Sequence, residues 1–463
     1  MASLLKRKDM DMTTGSVIKK LTIFAIPIVL AYMLDKAFNM TDTIMLGLLV
    51  NDMAVGAVGA TGTIDTLLLN LFLGIAGGVS VVVGRCVGAK DVEKARRTVG
   101  TSLIACFFGG VAFGAIGYFG AETFLAWMNC DIDLIPQAAL YMKIYCIGMP
   151  VIILNNCIAG VLRAVGDSVR PMVYLTIGGV ANIVLNYVFI SFFGMTVDGV
   201  ALATVLSRLI SLILSFIAIR KNTGYAKFEY KYLKIYKKEL GEVLSVGIPT
   251  GIQGALFSIS NIMLASTVNS YGKAATTGIS IAGQLDAWVY LVGNAIAVAS
   301  MSFVSQNYGA KNYKRVTEAI IKSSIFAAVI QAAIGLLAYL VSAPFFKMMS
   351  SDAKVIEYAQ IRLNWYCLTY FMCGIMEVLS LAMRAIGRSF ASMVISLIFV
   401  CAFRIFWLYT FYLIMPSFSM IYASYPISWI LCIGVLVPMI VSTIKKLSKA
   451  KKEQQEQVEQ EII

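Results

Sequence analysis

The sequence predicts an all-α polytopic membrane protein whose twelve transmembrane helices form two six-helix bundles, related to each other as parallel repeats. Three observations predict this fold: an apolar composition, long apolar runs along nearly the whole chain, and a repeat within the sequence. Of the 463 residues, 59% are hydrophobic and only 14% are charged, and the mean hydropathy is +0.81. A soluble globular protein of this length is not so apolar.

The apolar runs are predicted to be helices that cross the membrane. Each has about 20 residues, enough at about 1.5 Å per residue to span a hydrocarbon core about 30 Å thick. The runs lack the alternating pattern of an outer-membrane barrel, so each must pair its backbone groups within a helix. About twelve such runs follow one another along the chain.

The basic residues predict the orientation of the chain in the membrane. The net charge is +13, and Lys and Arg cluster between alternate apolar runs, at 90–97, 220–238, 311–315 and 445–452. The intervening loops at 129–133 and 193–199 carry none. By the positive-inside rule both termini are cytoplasmic in a multi-pass protein of the plasma (inner) membrane. Anionic membrane lipids, and not nucleic acid, are the partner that this charge predicts.

Two halves of the sequence repeat each other at one spacing. "VLRAVGDSVRPMV" (161–173) returns as "AMRAIGRSFASMV" (382–394), and "GAKDVEKAR" (88–96) returns as "GAKNYKRVT" (309–317), both 221 residues later. Six helices per repeat return the chain to the same side of the membrane, so the halves are parallel repeats. The predicted domains are an N-lobe at 1–220 (helices 1–6), a cytoplasmic linker at 221–241, a C-lobe at 242–445 (helices 7–12) and a cytoplasmic tail at 446–463. Two such lobes are typical of a transporter that works by alternating access.

The sequence motifs resemble those of multidrug and toxic compound extrusion (MATE) transporters of the prokaryotic type. They are "MTTGSVIKKLTIFAIPIVLAYMLDKAFNMTDTIMLG", "GRCVGAKDVEKAR", "LRAVGDS", "SQNYGAKNYKR" and "MRAIGRS". The resemblance implies secondary active multidrug efflux, in which an inward Na+ or H+ gradient drives the export of mostly cationic amphipathic compounds. We expect a monomer with no cofactor other than the coupling ion.

The resemblance also implies an ion-coupling site in the N-lobe. Asp42 matches the aspartate of the first helix, Asn182 matches an asparagine of the fifth, Asn186 stands where some members have aspartate, and Thr204 matches a threonine of the sixth. Asn39 lies on the same helix face as Asp42, one turn earlier. Oxygen ligands of this kind suit Na+ as well as a proton on a carboxylate. Asp42, Asn182, Asn186 and Thr204 are therefore the metal ligands if the ion is Na+. In the alternative, Asp42 only forms a hydrogen bond to a neighbouring helix.

Asp35 is a candidate for the substrate cavity. It lies seven residues before Asp42, which is within about 20° of two helical turns, so both carboxylates lie on one face. Relatives usually carry amides at Asp35 and Lys36. Asp35 selects substrates by charge, forms a local contact with Lys36, or lies near the aqueous end of a wide cavity.

Three further acids are candidates for the substrate cavity. Asp65 and Asp286 occupy equivalent positions in the two repeats and either line a cleft between the lobes or pair with a basic group. Glu377 contacts a cationic substrate or forms a structural hydrogen bond, and it is a possible partner for Arg404. An unpaired charge within the membrane is costly, so each of these groups is expected to face a cavity or a partner.

Two other functions are alternatives to efflux. The same superfamily includes flippases of lipid-linked oligosaccharides. A flippase would favour a cationic cavity for the pyrophosphate group, whereas the charged residues within the predicted spans are largely acidic. An enzyme is disfavoured because the chain has no histidine and no nucleophile–base motif.

Overall fold

A computed structural model describes residues 10–128 and 130–462, except for the side chains at 63, 65, 71 and 458–462. Within those residues every regular element is helical. In chain order the helices are α1 Val17–Leu49, α2 Asp52–Ala89, α3 Val92–Trp127, α4 Ile135–Ile147, α5 Met149–Ala164, α6 Val169–Ser191, α7 Val197–Lys221, a 3₁₀ turn Tyr230–Tyr232, α8 Lys237–Asn269, α9 Lys273–Gly309, α10 Tyr313–Met349, α11 Ala353–Ala385, α12 Ser389–Ser396, a π-helical turn Leu397–Ala402, α13 Phe403–Tyr409, α14 Phe411–Ile414 and α15 Phe418–Ile462.

Twelve segments of the described chain can cross a membrane. Eleven are single helices or, for the segment Ser389–Ile414, a nearly continuous run of short ones. The twelfth consists of α4 and α5, which meet at a bend of 49°. The bend falls at Gly148 and Pro150, because a proline within the first turn of a helix cannot donate a backbone hydrogen bond to the turn before it. The predicted all-α fold with twelve spans is confirmed.

The duplicated sequence produces duplicated backbone geometry. Lys90 and Lys311 have φ values of 59° and 54°, and they are the non-glycine residues of positive φ in the described chain. Gly166 and Gly387 have φ values of 93° and 87°. The residue after each lysine caps the next helix, with a side-chain oxygen that accepts a backbone hydrogen bond at 2.9 Å in one repeat and 3.2 Å in the other. The repeat read from the sequence is therefore a structural repeat.

The described chain divides into two compact units. Among the described residues, unit 1 contains Met10, Asp11 and Ile26–Ala255, and unit 2 contains Met12–Ala25 and the chain from Leu256 to Ile462. These limits differ from the predicted lobe boundaries, because the first part of α1 belongs to unit 2 and the first part of α8 belongs to unit 1.

The N-terminal residues of unit 2 are held by the end of α9 and the start of α10. The Arg315 guanidinium donates to the carbonyl oxygens of Met12, Thr14 and Gly15, at 3.2, 2.7 and 2.8 Å. The amide of Asn307 also donates to the Met12 carbonyl, at 3.1 Å. The "SQNYGAKNYKR" motif thus binds the chain that leads into α1.

In unit 1 the segment between α7 and α8 packs on the start of α3. Arg96 forms an ion pair with Glu229 at 2.6 Å, and the Thr101 hydroxyl donates to the Lys234 carbonyl at 3.0 Å. The hydrogen bond from Lys227 lowers the pKa of Glu229. The basic segment is therefore docked along its length.

Glycines allow α2 and the first part of α8 to pack closely within unit 1. A Cβ on Gly74 would lie 2.3 Å from the Gly251 nitrogen, and one on Gly78 would lie 2.5 Å from the Val243 carbonyl oxygen. Neither separation is possible for a real side chain. The "GIAGG" run is thus a helix-packing surface of small residues.

Candidate functional site

A cluster of buried polar side chains lies in unit 1 where α1, α6 and α7 meet. Asp42, on α1, is 8% exposed, and Asn182 and Asn186 lie on successive turns of α6 with exposures of 4% and 0%. Thr204 faces them from α7 and is also buried. The four predicted ion ligands from three helices are thus brought together.

Hydrogen bonds link these side chains across the helices. The Asn186 amide nitrogen donates to an Asp42 carboxylate oxygen at 2.6 Å, and the Asn182 amide nitrogen approaches the Thr204 hydroxyl at 3.5 Å. The Thr204 hydroxyl donates in turn to the Val200 carbonyl, at 2.9 Å. The two amide nitrogens are therefore engaged, whereas neither amide oxygen takes part in these hydrogen bonds.

Those two amide oxygens are the unusual feature of the cluster. Oδ1 of Asn182 and Oδ1 of Asn186 are buried and accept no hydrogen bond, although buried polar atoms almost always have a partner. Asp42, Asn182 and Thr204 line a cavity of about 20 Å³, which has room for one water molecule or one small ion. A carboxylate, a hydroxyl and amide oxygens are the donor set of a hard cation, so these residues fit such an ion.

Asn39 is placed differently from the other predicted ion ligands. Its side chain is exposed, and its amide nitrogen donates to the Asp35 carbonyl one turn earlier, at 2.8 Å. It lines the same small cavity. Its part in ion coupling stays a prediction.

Asp35 forms an ion pair with Arg208, which the sequence reading did not single out. The Arg208 guanidinium donates to Asp35 at 2.5 Å, with side-chain exposures of 24% and 39%. Lys36 is exposed, so the acid is paired with α7 and not with its sequence neighbour. The sequence contains a signal for this ion pair, because Arg208 lies within the apolar run "VLSRLISLIL", and an arginine there needs an acid or a polar cavity. The pair leaves Asp42 as the unpaired charge beside the small cavity.

In unit 2, Asp286 forms an ion pair with Arg362. The Arg362 Nε donates to the Asp286 carboxylate at 2.7 Å, and Asp286 is buried. Of the two alternatives for Asp286, this supports pairing with a basic group. The side chain of Asp65, its counterpart in the other repeat, lies outside the described residues.

Unit 2 also encloses a much larger cavity, of about 370 Å³. Glu377 and Arg404 line it, together with aromatic residues that include Phe257, Tyr290 and Tyr370. Glu377 and Arg404 are not partners, since the Arg404 Nε donates to the Ser428 hydroxyl at 3.0 Å and no ion pair joins Arg404 to an acid of the described chain. The possible Glu377–Arg404 pair considered from the sequence is therefore not formed.

Comparison with known proteins shows the family. The MatE family model matches residues 27–188 and again residues 249–410. The chain belongs to the MatE family. The two matches fall on the two repeats, so each half of this MatE protein is a copy of the family's unit.

Individual relatives agree with this assignment. The chain is 28% identical over 391 residues to "Probable multidrug resistance protein YpnP" of Bacillus subtilis, covering 84% of this chain and 87% of that protein. A solved MOP superfamily transporter from Pyrococcus furiosus has a TM-score of 0.87 at 22% identity, covering 96% of this chain and 99% of that one. An outward-facing multidrug resistance MATE transporter of that superfamily has a TM-score of 0.86 at 21% identity, covering 96% and 99%. This MatE protein is thus a multi-pass membrane protein from a family of small-molecule transporters.

Proposed function

We propose that this MatE protein exports amphipathic, mostly cationic compounds in exchange for Na+ that enters down its inward gradient, with Asp42 as the coupling carboxylate. The observation that carries the proposal is the pair of buried amide oxygens, on Asn182 and Asn186, that accept no hydrogen bond beside Asp42. Asp42 and Asn182 line a cavity of ion size and not of drug size, and Asn186 is hydrogen-bonded to Asp42.

The donor set favours Na+ over a proton. A proton on Asp42 supplies one hydrogen-bond donor and can satisfy at most one of the two amide oxygens. A Na+ ion could be held by the Asp42 carboxylate, the two amide oxygens and the Thr204 hydroxyl together. With Asn186 in place of an acid, the set carries one negative charge, so one Na+ neutralises it.

That single charge explains how ion and cargo could be coupled. With the ion bound, Asp42 is neutralised and attracts a cationic compound weakly. Without the ion, its negative charge favours such a compound. Binding of one therefore disfavours binding of the other, which is the requirement for antiport.

The test uses purified protein in proteoliposomes, with a Na+ gradient and a pH gradient imposed separately. We expect a Na+ gradient alone to drive transport of a fluorescent organic cation, and Asp42→Asn to abolish this transport while the protein still inserts and elutes as a single species. Asp133→Asn makes the same chemical change at an exposed loop position and should transport like the wild type. Transport driven by the pH gradient alone would contradict Na+ coupling, and full transport by Asp42→Asn would contradict the role of Asp42.

A flippase of lipid-linked oligosaccharides is the second candidate, supported by the two arginines that line the unit 2 cavity. Arg362 is already neutralised by Asp286, which leaves only Arg404 for a pyrophosphate group. In the same vesicles we expect no gradient-independent translocation of a fluorescent lipid-linked oligosaccharide; such translocation at a rate above that of protein-free vesicles would favour the flippase.

A further inference from the structure

The cavity of unit 2 has the size and walls of a small-molecule binding site. Its volume of about 370 Å³ falls in the usual range of about 300–1,000 Å³. Tyr366, Tyr370 and Trp429 form a stacked aromatic wall, with ring centroids 5.2 Å apart for the tyrosines and 5.8 Å for Tyr370 and Trp429. Aromatic walls favour a ligand with a flat ring system. The cavity is separate from the ion site proposed for unit 1.

The first of two charges in this cavity is Arg404. It is 4% exposed, its guanidinium carbon lies 3.9 Å from the centre of the Tyr425 ring, and its Nε donates to Ser428. The remaining nitrogens of the fork donate to no residue of the described chain, and Arg404 lines the cavity. A guanidinium whose two terminal nitrogens are free to donate suits a carboxylate or a similar planar acid.

The second charge is Glu377, on the α11 wall of the same cavity. Across the described part of the molecule its carboxylate forms neither a hydrogen bond nor an ion pair. Arg362, the other arginine of the lining, already has Asp286 at 2.7 Å. The cavity therefore offers one positive group and one negative group that form no ion pair with the described chain. Arg384, seven residues after Glu377 on α11, attracts the Glu377 carboxylate electrostatically without forming an ion pair with it.

We propose that this cavity binds an amphoteric aromatic compound, with its acidic group on Arg404, its basic group at Glu377 and its rings against the tyrosine and tryptophan wall. A compound with only a basic group leaves the Arg404 fork without an acceptor. A compound with only an acidic group leaves Glu377 without a donor and close to a like charge. Discrimination arises because a partly satisfied pair of buried charges binds worse than a fully satisfied one. The inference rests on the proposed export function for the idea that the ligand is cargo, but binding itself requires no gradient.

The experiment is a fluorescence titration of the full-length protein in detergent with three matched probes. Nα-dansyl-lysine carries a carboxylate and an amine, its methyl ester carries only the amine, and its Nε-acetyl derivative carries only the carboxylate. We expect the parent compound to bind about tenfold or more tightly than either derivative. Equal binding of the parent and the methyl ester to the wild type would overturn the proposal.

Variants assign the two ends of the ligand. Arg404→Gln should reduce the affinity for the parent to that for the methyl ester, and Glu377→Gln should reduce it to that for the acetyl derivative. Arg388→Gln, at an exposed arginine of unit 2, should change none of the three affinities. If Arg404→Gln does not fold, Glu377→Gln decides alone, since an unchanged preference for the parent over the acetyl derivative in that variant would overturn the proposal. Asp42→Asn should keep the preference for the parent compound over both derivatives, because that preference is set by Arg404 and Glu377, while it loses Na+-driven transport. The two proposals therefore fail independently.

Discussion

The Asp35–Arg208 ion pair sets the electrostatic potential at the proposed ion site. Asp35 lies seven residues before Asp42 on α1, about 10.5 Å along the helix axis. At an effective dielectric constant of about 20, a unit charge at that distance contributes about 1.6 kcal/mol, or about fifteenfold in the affinity for Na+. In the wild type the two charges of the pair act on Asp42 in opposite directions, and Arg208 has the larger effect.

Removing either partner should therefore shift the affinity for Na+ in opposite directions. Arg208→Gln leaves Asp35 negative and should lower the half-saturating Na+ concentration for efflux by up to about fifteenfold. Asp35→Asn leaves Arg208 positive and should raise that concentration by a comparable factor. The double variant removes both charges and should stay within about threefold of the wild type.

The assay measures efflux from proteoliposomes as a function of Na+. The ionic strength is held constant with an inert organic cation, because salt screens charges of partly exposed residues. Size-exclusion chromatography and thermal unfolding establish that each variant is folded. A shift in the same direction for both single variants, or a double variant far from the wild type, would refute the reasoning.

Two other predictions concern stability in detergent. Asp286→Asn leaves Arg362 unpaired and should lower the free energy of unfolding by about 3 kcal/mol, measured as a lower midpoint of thermal unfolding. A change below about 0.5 kcal/mol would mean that the ion pair is not desolvated. Gly78→Ala places a Cβ 2.5 Å from the Val243 carbonyl oxygen and should lower the free energy of unfolding by about 2 kcal/mol or more. Gly77→Ala, whose Cβ meets no atom within 4 Å, should leave that free energy unchanged or raise it by up to about 1 kcal/mol. Equal effects of the two variants would show that α2 and α8 do not pack at Gly78.

Much of the fold could be predicted from the sequence, because it depends on patterns among neighbouring residues. A run of apolar residues must satisfy its own backbone in lipid, so it predicts a helix wherever it occurs. The repeat was visible because motifs such as "GAKD" and "GAKN" encode a left-handed residue and a helix cap within a few positions. Asp35 and Asp42 were correctly placed on one helix face, because helical periodicity depends only on spacing.

The candidate ion site and the ion pairs could be predicted from the sequence only in part. The resemblance to MATE transporters pointed to Asp42, Asn182, Asn186 and Thr204, and the structure brings these side chains together. The partners of Asp35 and Asp286 were not predicted, since Arg208 is 173 residues from Asp35 and Arg362 is 76 residues from Asp286. Nothing in local spacing selects one partner over another at such separations.

The amino-acid sequence by itself determined that this is a duplicated twelve-helix membrane protein with acids inside its spans, because composition, period and repeat are properties of neighbouring residues. Only the tertiary structure decided which charges are neutralised and which are left free. Asp35 and Asp286 are compensated by arginines from other helices, whereas Asp42, Glu377 and Arg404 form no ion pair with an oppositely charged residue of the described chain. That distinction depends on distances of a few ångströms between helices remote in sequence, and it separates structural ion pairs from groups available to an ion or a ligand.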